Sequence, residues 1–132
     1  YSGNGGEILS DEIDMSKYES LTAICQSGDS VTAGRTIALA FQASATAGGT
    51  YATVSGKSYT LGSESPLAAD SQIIISMKGE EVTSQKRYVK LSATFASTTS
   101  PLGSTDFSAV VLGVARHKPG TGGDLSTVRS AA

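Results

Sequence analysis

The sequence predicts an all-β fold, an antiparallel β-sandwich, from three observations. Apolar and polar side chains alternate along residues 86–95, where Val89, Leu91 and Phe95 share one side. Segments with strand character and turn residues follow one another at a spacing of about ten residues, as in sandwiches and barrels. Charged residues make up only 17% of the chain while Gly, Ala, Ser and Thr are abundant, which suits strands and turns better than long helices.

The two strongest predicted strands lie at residues 86–95 and 107–114. The alternation in the first indicates a half-buried strand, whereas the second is apolar on nearly both faces and predicts a strand covered above and below. We expect the pair to form the central hairpin of the domain. The connecting residues 96–106 are polar and form a loop long enough to reach a neighbouring molecule.

The remaining strands follow from the same alternation, interrupted by turn residues and by Pro66, which lacks an amide donor and makes residues 62–69 a loop. In chain order they are predicted at residues 18–25, 35–45, 51–54, 58–61 and 71–78, with a turn at residues 55–57.

Length and charge narrow the possible classes of protein. A chain of 132 residues forms one domain with a core of its own. The formal net charge of −2 predicts no direct nucleic-acid or anionic-membrane partner, and no apolar run approaches the ~18 residues of a membrane span. Cys25 is the only cysteine, so we expect a buried thiol and no disulfide within the chain.

The two ends differ from the middle, so the sequence predicts an arm at residues 1–17, a sandwich at 18–115 and an arm at 116–132. The first arm starts with glycines, and its apolar residues do not alternate, so it needs a surface to lie on. The second has too few apolar residues for a core and is either a disordered tail or an arm ordered by a partner. The candidate partner-binding residues are Ile8, Leu9, Ile13, Met15, Arg116, His117, Leu125, Val128 and Arg129.

No catalytic or metal-binding pattern is predicted, so we expect a non-enzymatic protein without a cofactor. The glycines of residues 120–123 lack the Lys-Ser/Thr and the following helix of a phosphate loop. His117 is the only histidine, and the many serines single out no triad. Glu80 and Glu81 are adjacent and point apart on an extended backbone, and the acids of residues 11–14 lack the ligand spacing of an EF-hand.

Two groups of side chains have alternative interpretations. Tyr51, Tyr59 and Tyr88 could form a sugar-binding platform, but cross-strand packing of aromatic residues is favoured. The basic residues within 86–90 could form a binding patch, and a charged strand edge that resists aggregation explains them equally well.

Two segments resemble a known family. Residues 86–91 read KRYVKL, and residues 106–119 contain DFSAVVLG followed by ARHKP. They resemble small tailed-phage virion proteins in which a KRYVR strand, a polar loop and a strand ending in LG-x-x-RH-x-P follow one another. These proteins are similar to the cement (decoration) proteins of capsids built from the HK97-type shell protein. The resemblance spans residues 14–119, is most specific in the last third, and departs from the group's pattern at residues 45–50.

The resemblance implies a jelly-roll-like sandwich on the outer surface of a phage capsid. It implies the major capsid protein as partner, together with other copies of this chain in a dimer or trimer, and no catalytic residues. We therefore expect a cement protein whose arms clamp neighbouring shell subunits. The alternatives are a carbohydrate-binding or adhesive sandwich and a head-completion or tail protein.

Overall fold

The computed structural model describes residues 6–28, 35–61, 71–82, 86–97 and 107–116, and it confirms an all-β, antiparallel fold. One short 3-10 helix, Gly79–Glu81, follows the sixth strand. The strands are β1 (Gly6–Leu9), β2 (Ile13–Asp14), β3 (Tyr18–Ser27), β4 (Arg35–Ser44), β5 (Ala52–Leu61), β6 (Gln72–Lys78), β7 (Tyr88–Ser97) and β8 (Phe107–Ala115).

The strands form two antiparallel sheets. The first sheet has the order β1-β7-β4-β5, with β2 also paired to β7, and the second has the order β6-β3-β8. The described residues establish this strand order, and the jelly-roll-like arrangement stays a prediction.

The core lies between the two sheets because each central strand turns its apolar positions to the same side, with the period of two that a strand imposes. Cys25 belongs to this core, and burial raises the pKa of its thiol to about 11, so the expected buried cysteine is confirmed. The buried side chains include Leu21, Ala23, Ile37, Leu39, Phe41, Ala43, Ile73, Ile75, Met77, Val89, Leu91, Ala93 and Phe95.

The predicted hairpin between residues 86–95 and 107–114 is wrong. β7 lies in the first sheet beside β4, and β8 lies in the second beside β3. The two strands face each other across the core, where the rings of Phe95 and Phe107 meet edge to face at 5.4 Å. Alternation specifies which face of a strand is apolar but not its neighbour, and packing two apolar faces against each other buries both.

The prediction that residues 107–114 are covered above and below is also wrong. β8 is an edge strand, and the side chains of Val110, Leu112 and Val114 are 56%, 54% and 57% exposed. Their face of the second sheet points away from the core, and no described residue forms a layer over it.

The two short strands and the turn predicted at residues 51–61 form one strand, β5, with a bulge. Ala40 pairs with Ser58 and Gln42 with Thr53, so residues 54–57 stand opposite Phe41 alone. Gly56 has a φ of 72°, a conformation that glycine adopts without strain, which allows the extra residues to be accommodated.

The described part of the predicted N-terminal arm adds to the first sheet. Both β1 and β2 pair with β7, with Ile8 opposite Ala93 and Ile13 opposite Val89. Met15 is only 4% exposed and belongs to the core. Pairing satisfies the backbone groups along the second edge of β7, which explains why this segment lies on its own domain.

Candidate interaction surface

An ion pair holds the N-terminal segment in place. The guanidinium of Arg87 donates two hydrogen bonds to the Asp14 carboxylate, Nε to Oδ1 at 2.7 Å and Nη2 to Oδ2 at 2.6 Å. This contact holds the pKa of Asp14 well below its usual range, and the backbone amide of Ser16 also donates to Oδ1. Such a two-point contact fixes geometry as well as charge.

A second contact of this segment uses a predicted sugar-platform residue. The Glu12 carboxylate accepts hydrogen bonds from the Tyr51 hydroxyl and from the Gly48 amide, and both lower the pKa of Glu12. Partial burial and the neighbouring carboxylate raise the pKa of Tyr51 to about 12. The Lys90 ammonium lies 4.7 Å from the centre of the Tyr51 ring. Tyr51 and Lys90 therefore serve internal contacts.

The three tyrosines do not form one platform. Tyr88 pairs with Ser44, and Tyr51 precedes the residue that pairs with Ala43, so these two lie at the same end of the first sheet. Tyr59 pairs with Leu39, five residues from Ser44 and so about 17 Å along the strand. Tyr59 is 54% exposed and stands apart from the other two tyrosines.

One side of the sandwich is closed by charged residues of β5 and the 3-10 helix. The Lys57 ammonium contacts the Glu81 carboxylate at 2.8 Å and donates to the Ser76 carbonyl at 3.0 Å. Glu81 also accepts a hydrogen bond from the Lys78 amide, whereas Glu80 lies 4.0 Å from the Lys78 ammonium. The two adjacent glutamates thus have different partners and do not converge on one site.

The opposite side, between β1 and β8, is open. It contains a groove of about 360 Å³ whose walls are mostly apolar. Ser10 and Asp11 are the polar members of the lining, and Ser10 also exchanges hydrogen bonds with the Leu91 backbone. The apolar lining residues are Ile8, Leu9 and Ile13 from the N-terminal segment, Leu91 and Ala93 from β7, and Phe107, Ala109 and Val111 from β8.

The outer face of the second sheet beside this groove carries an apolar patch. Ile74, Ile24 and Val110 form one row across the three strands, because Ile24 pairs with both of the others. Leu112 and Val114 continue the patch along β8, and Ile74 is 61% exposed. Clustered apolar exposure of this kind marks interaction sites more often than isolated exposed residues do. We call Ile24, Ile74, Val110, Leu112 and Val114 the outer apolar patch.

β8 is also an unusually unprotected sheet edge. Natural edge strands resist unwanted pairing by being short, charged or bulged. β1 has four residues, β5 has a bulge and Lys57, and β6 ends in Lys78. β8 extends over nine residues without a charge or a proline. Groove, edge and outer apolar patch together form the candidate interaction surface.

The predicted partner-binding residues are distributed unevenly with respect to this surface. Ile8 and Ile13 are half-buried in the groove wall, Leu9 is 46% exposed there, and Met15 is inside the core. The Arg116 Nε donates to the carbonyls of Met15 and Tyr18, which ties the end of β8 to the start of β3. His117, Leu125, Val128 and Arg129 lie outside the described residues, as does most of the 96–106 loop.

The outer apolar patch was not predicted from the sequence, because an apolar strand was interpreted as a covered one. A run that is apolar on both faces and lacks charges is equally compatible with an edge strand that binds a partner. That absence of charge over Phe107–Ala115 was the available signal.

Among the residues that the structure describes, no three His, Cys, Asp or Glu side chains are grouped to hold a metal ion. Nor does that part of the chain include a helix long and apolar enough to cross a membrane. Comparisons with family models, with curated proteins and with solved structures give no match to this chain.

Proposed function

We propose that this chain is a non-enzymatic structural protein of a virion, a cement protein on the outer surface of a phage capsid. Its partner is the major capsid protein, and it holds neighbouring shell subunits together. The observation that carries the proposal is the candidate interaction surface, a largely apolar groove, edge strand and patch on an otherwise ordinary sandwich. The resemblance of residues 86–91 and 106–119 supplies the identity of the partner.

The chemistry of this surface favours a protein partner. Val110, Leu112 and Val114 offer aliphatic side chains, which suit another apolar protein surface. Covering them yields roughly 25 cal/mol for each Å² of apolar area removed from water. A modest contact of this kind, repeated over many copies on one shell, gives a strong clamp through avidity.

In this proposal the N-terminal residues contribute mainly to the walls of the groove. Ile8 and Ile13 shape the groove instead of reaching across to another subunit, and Leu9 is left as the exposed anchor. The arm predicted at residues 116–132 makes a second contact with the shell in this proposal.

The proposal is tested by the binding of purified protein to shells assembled from the major capsid protein. Leu112→Asp places a charge in the outer apolar patch and should lower shell binding by about tenfold or more. Tyr59→Asp is the matched control, because Tyr59 is also 54% exposed but lies on β5 of the other sheet, and it should bind like the wild type. Equal binding by all three proteins would contradict the proposal.

Counting copies in purified particles separates the alternatives. A cement protein should be present at a number comparable to that of the shell subunit, whereas a head-completion or tail protein forms a single ring. The positions of the tyrosines do not support the single sugar-binding platform of the carbohydrate-binding alternative. Tyr51 is hydrogen-bonded to Glu12, and Tyr59 stands apart from Tyr51 and Tyr88.

A further inference from the structure

Among the described strands, the second sheet is one position narrower than the first. The first sheet is four positions wide, in the order β1-β7-β4-β5, and the second is three wide, in the order β6-β3-β8. At the closed side, Lys57 of β5 bridges to β6, and toward the open side Phe95 of β7 contacts Phe107 of β8. β1 is therefore the position that faces no strand of the second sheet among the described residues.

The groove occupies the place of this absent strand. Ile8 and Leu9 of β1 form one wall, and Ala109 and Val111 of β8 form the other. None of the described strands pairs with the outer edge of β8, and no residue of β8 is charged. A strand added there would extend the second sheet to the same width as the first.

We propose that the open side is a strand-acceptor site: an extended segment of a different polypeptide pairs with β8 as a fourth strand of the second sheet. Its inward side chains fill the groove against Ile8 and Leu9, and its outward side chains lie beside the outer apolar patch. Strand addition of this kind obtains affinity from backbone hydrogen bonds and specificity from pockets for alternate side chains. Only the identification of the donor as the shell subunit rests on the proposed function.

The groove defines the chemistry of the donated segment. The donated segment has apolar residues at every second position, over about nine residues to match the length of β8. All pairings among the described strands are antiparallel, and a segment that pairs with β8 in the same way starts near the end of β8. That end lies on the Asp11 side of the groove, because Ser10 contacts Leu91 while Phe107 contacts Phe95. The Asp11 carboxylate forms no ion pair with the described residues, and a basic residue at the start of the segment complements it.

Charge argues against a second copy as the donor. Antiparallel pairing of β8 with β8 of another copy would join two chains of net charge −2 and would leave each Asp11 carboxylate beside the start of the other β8, without a basic partner. Like charges brought together at an interface oppose association. β8 itself supplies no basic residue to offset them.

The probe for this site is a synthetic nine-residue peptide in which valine and threonine alternate after an amino-terminal lysine. It should bind and slow hydrogen exchange of the β8 amides, with no effect on β5. A peptide of the same composition with its valines grouped together should bind about tenfold more weakly, because it cannot turn all of them toward the groove.

Variants of the protein identify the site. Ala109→Lys places a charge in the groove and should weaken peptide binding about tenfold or more, as inward-pointing charges do on natural edges. Tyr59→Lys is the matched control on β5 and should bind as the wild type does. Asp11→Asn is a milder variant that should weaken the lysine peptide severalfold but leave a peptide with glutamine in place of lysine unchanged. Circular dichroism confirms that each variant is folded.

Several results would overturn the strand-acceptor site. Equal peptide binding by Ala109→Lys and Tyr59→Lys would do so, as would Asp11→Asn affecting both peptides alike. A wild-type dimer that Ala109→Lys converts to a monomer, seen by analytical ultracentrifugation, would assign the site to a second copy and overturn the different-polypeptide donor.

Shell binding separates this site from the proposed function. Shell binding that survives Ala109→Lys would overturn the strand-acceptor site as the docking site and leave the cement function standing. Peptide binding that Ala109→Lys abolishes, in a wild-type protein that binds no shells, would support the site and overturn the cement function.

Discussion

The two sides of the sandwich differ in whether side chains close the gap between the two sheets. At the β5/β6 side, Lys57 contacts both Glu81 and the Ser76 carbonyl, which joins the sheets through polar groups. At the β1/β8 side the walls are mostly apolar and leave a groove of about 360 Å³. A charged residue placed at a sheet edge both closes the sandwich and discourages added strands. Its absence from β8 leaves a surface suited to a partner.

The largest effect should come from Met15→Ala, which tests whether the N-terminal segment supports the open side. Met15 is 4% exposed in the core, so its truncation should cost about 2–3 kcal/mol in the free energy of unfolding, measured by urea denaturation. Leu9→Ala is the control on the same segment and should cost less than about 1 kcal/mol, because Leu9 is already 46% exposed. Equal costs would mean that residues 6–17 behave as an appendage after all.

A smaller effect is expected from removing the polar contacts that join the two sheets at the β5/β6 side. Lys57→Met keeps an aliphatic chain but removes the contacts with Glu81 and with Ser76. Hydrogen exchange of β6 amides should become faster, while β8 exchange should stay unchanged. Part of the difference should disappear near 1 M salt, where the screening length falls to about 3 Å. Unchanged β6 exchange would show that the lysine does not join the two sheets.

The smallest effect is the pH dependence of the Asp14–Arg87 contact. Arg87 lowers the pKa of Asp14 in the folded protein, so its stabilisation is present above the unfolded value of about 4 and is lost as the pH falls further. Asp14→Asn should therefore unfold a few degrees below the wild type at neutral pH, and the difference should shrink by about pH 2.

Asp11→Asn is the control for removal of a carboxylate from the same segment, because Asp11 has no ion pair in the described chain. At neutral pH its melting temperature should equal that of the wild type. A difference for Asp14→Asn that grows on acidification would contradict the assigned contact.

Much of the local structure could be predicted, and the misses share one cause. Most strands and the buried Cys25 follow from side-chain alternation and residue type. The β7/β8 hairpin, the covered β8 and the turn at residues 55–57 did not follow, because each depends on which strand lies alongside. For the same reason the outer apolar patch was not recognised as a surface.

The sequence alone determined the all-β class, the apolar face of most strands and the uncharged character of Phe107–Ala115, since these depend on a period of two and on composition. Only the tertiary structure decided that β7 and β8 belong to opposite sheets, that residues 6–14 complete the first sheet, and that β8 is an exposed edge. Alternation assigns a side chain to a face, but neighbours are chosen by packing the whole chain at once, which brings together residues far apart in sequence.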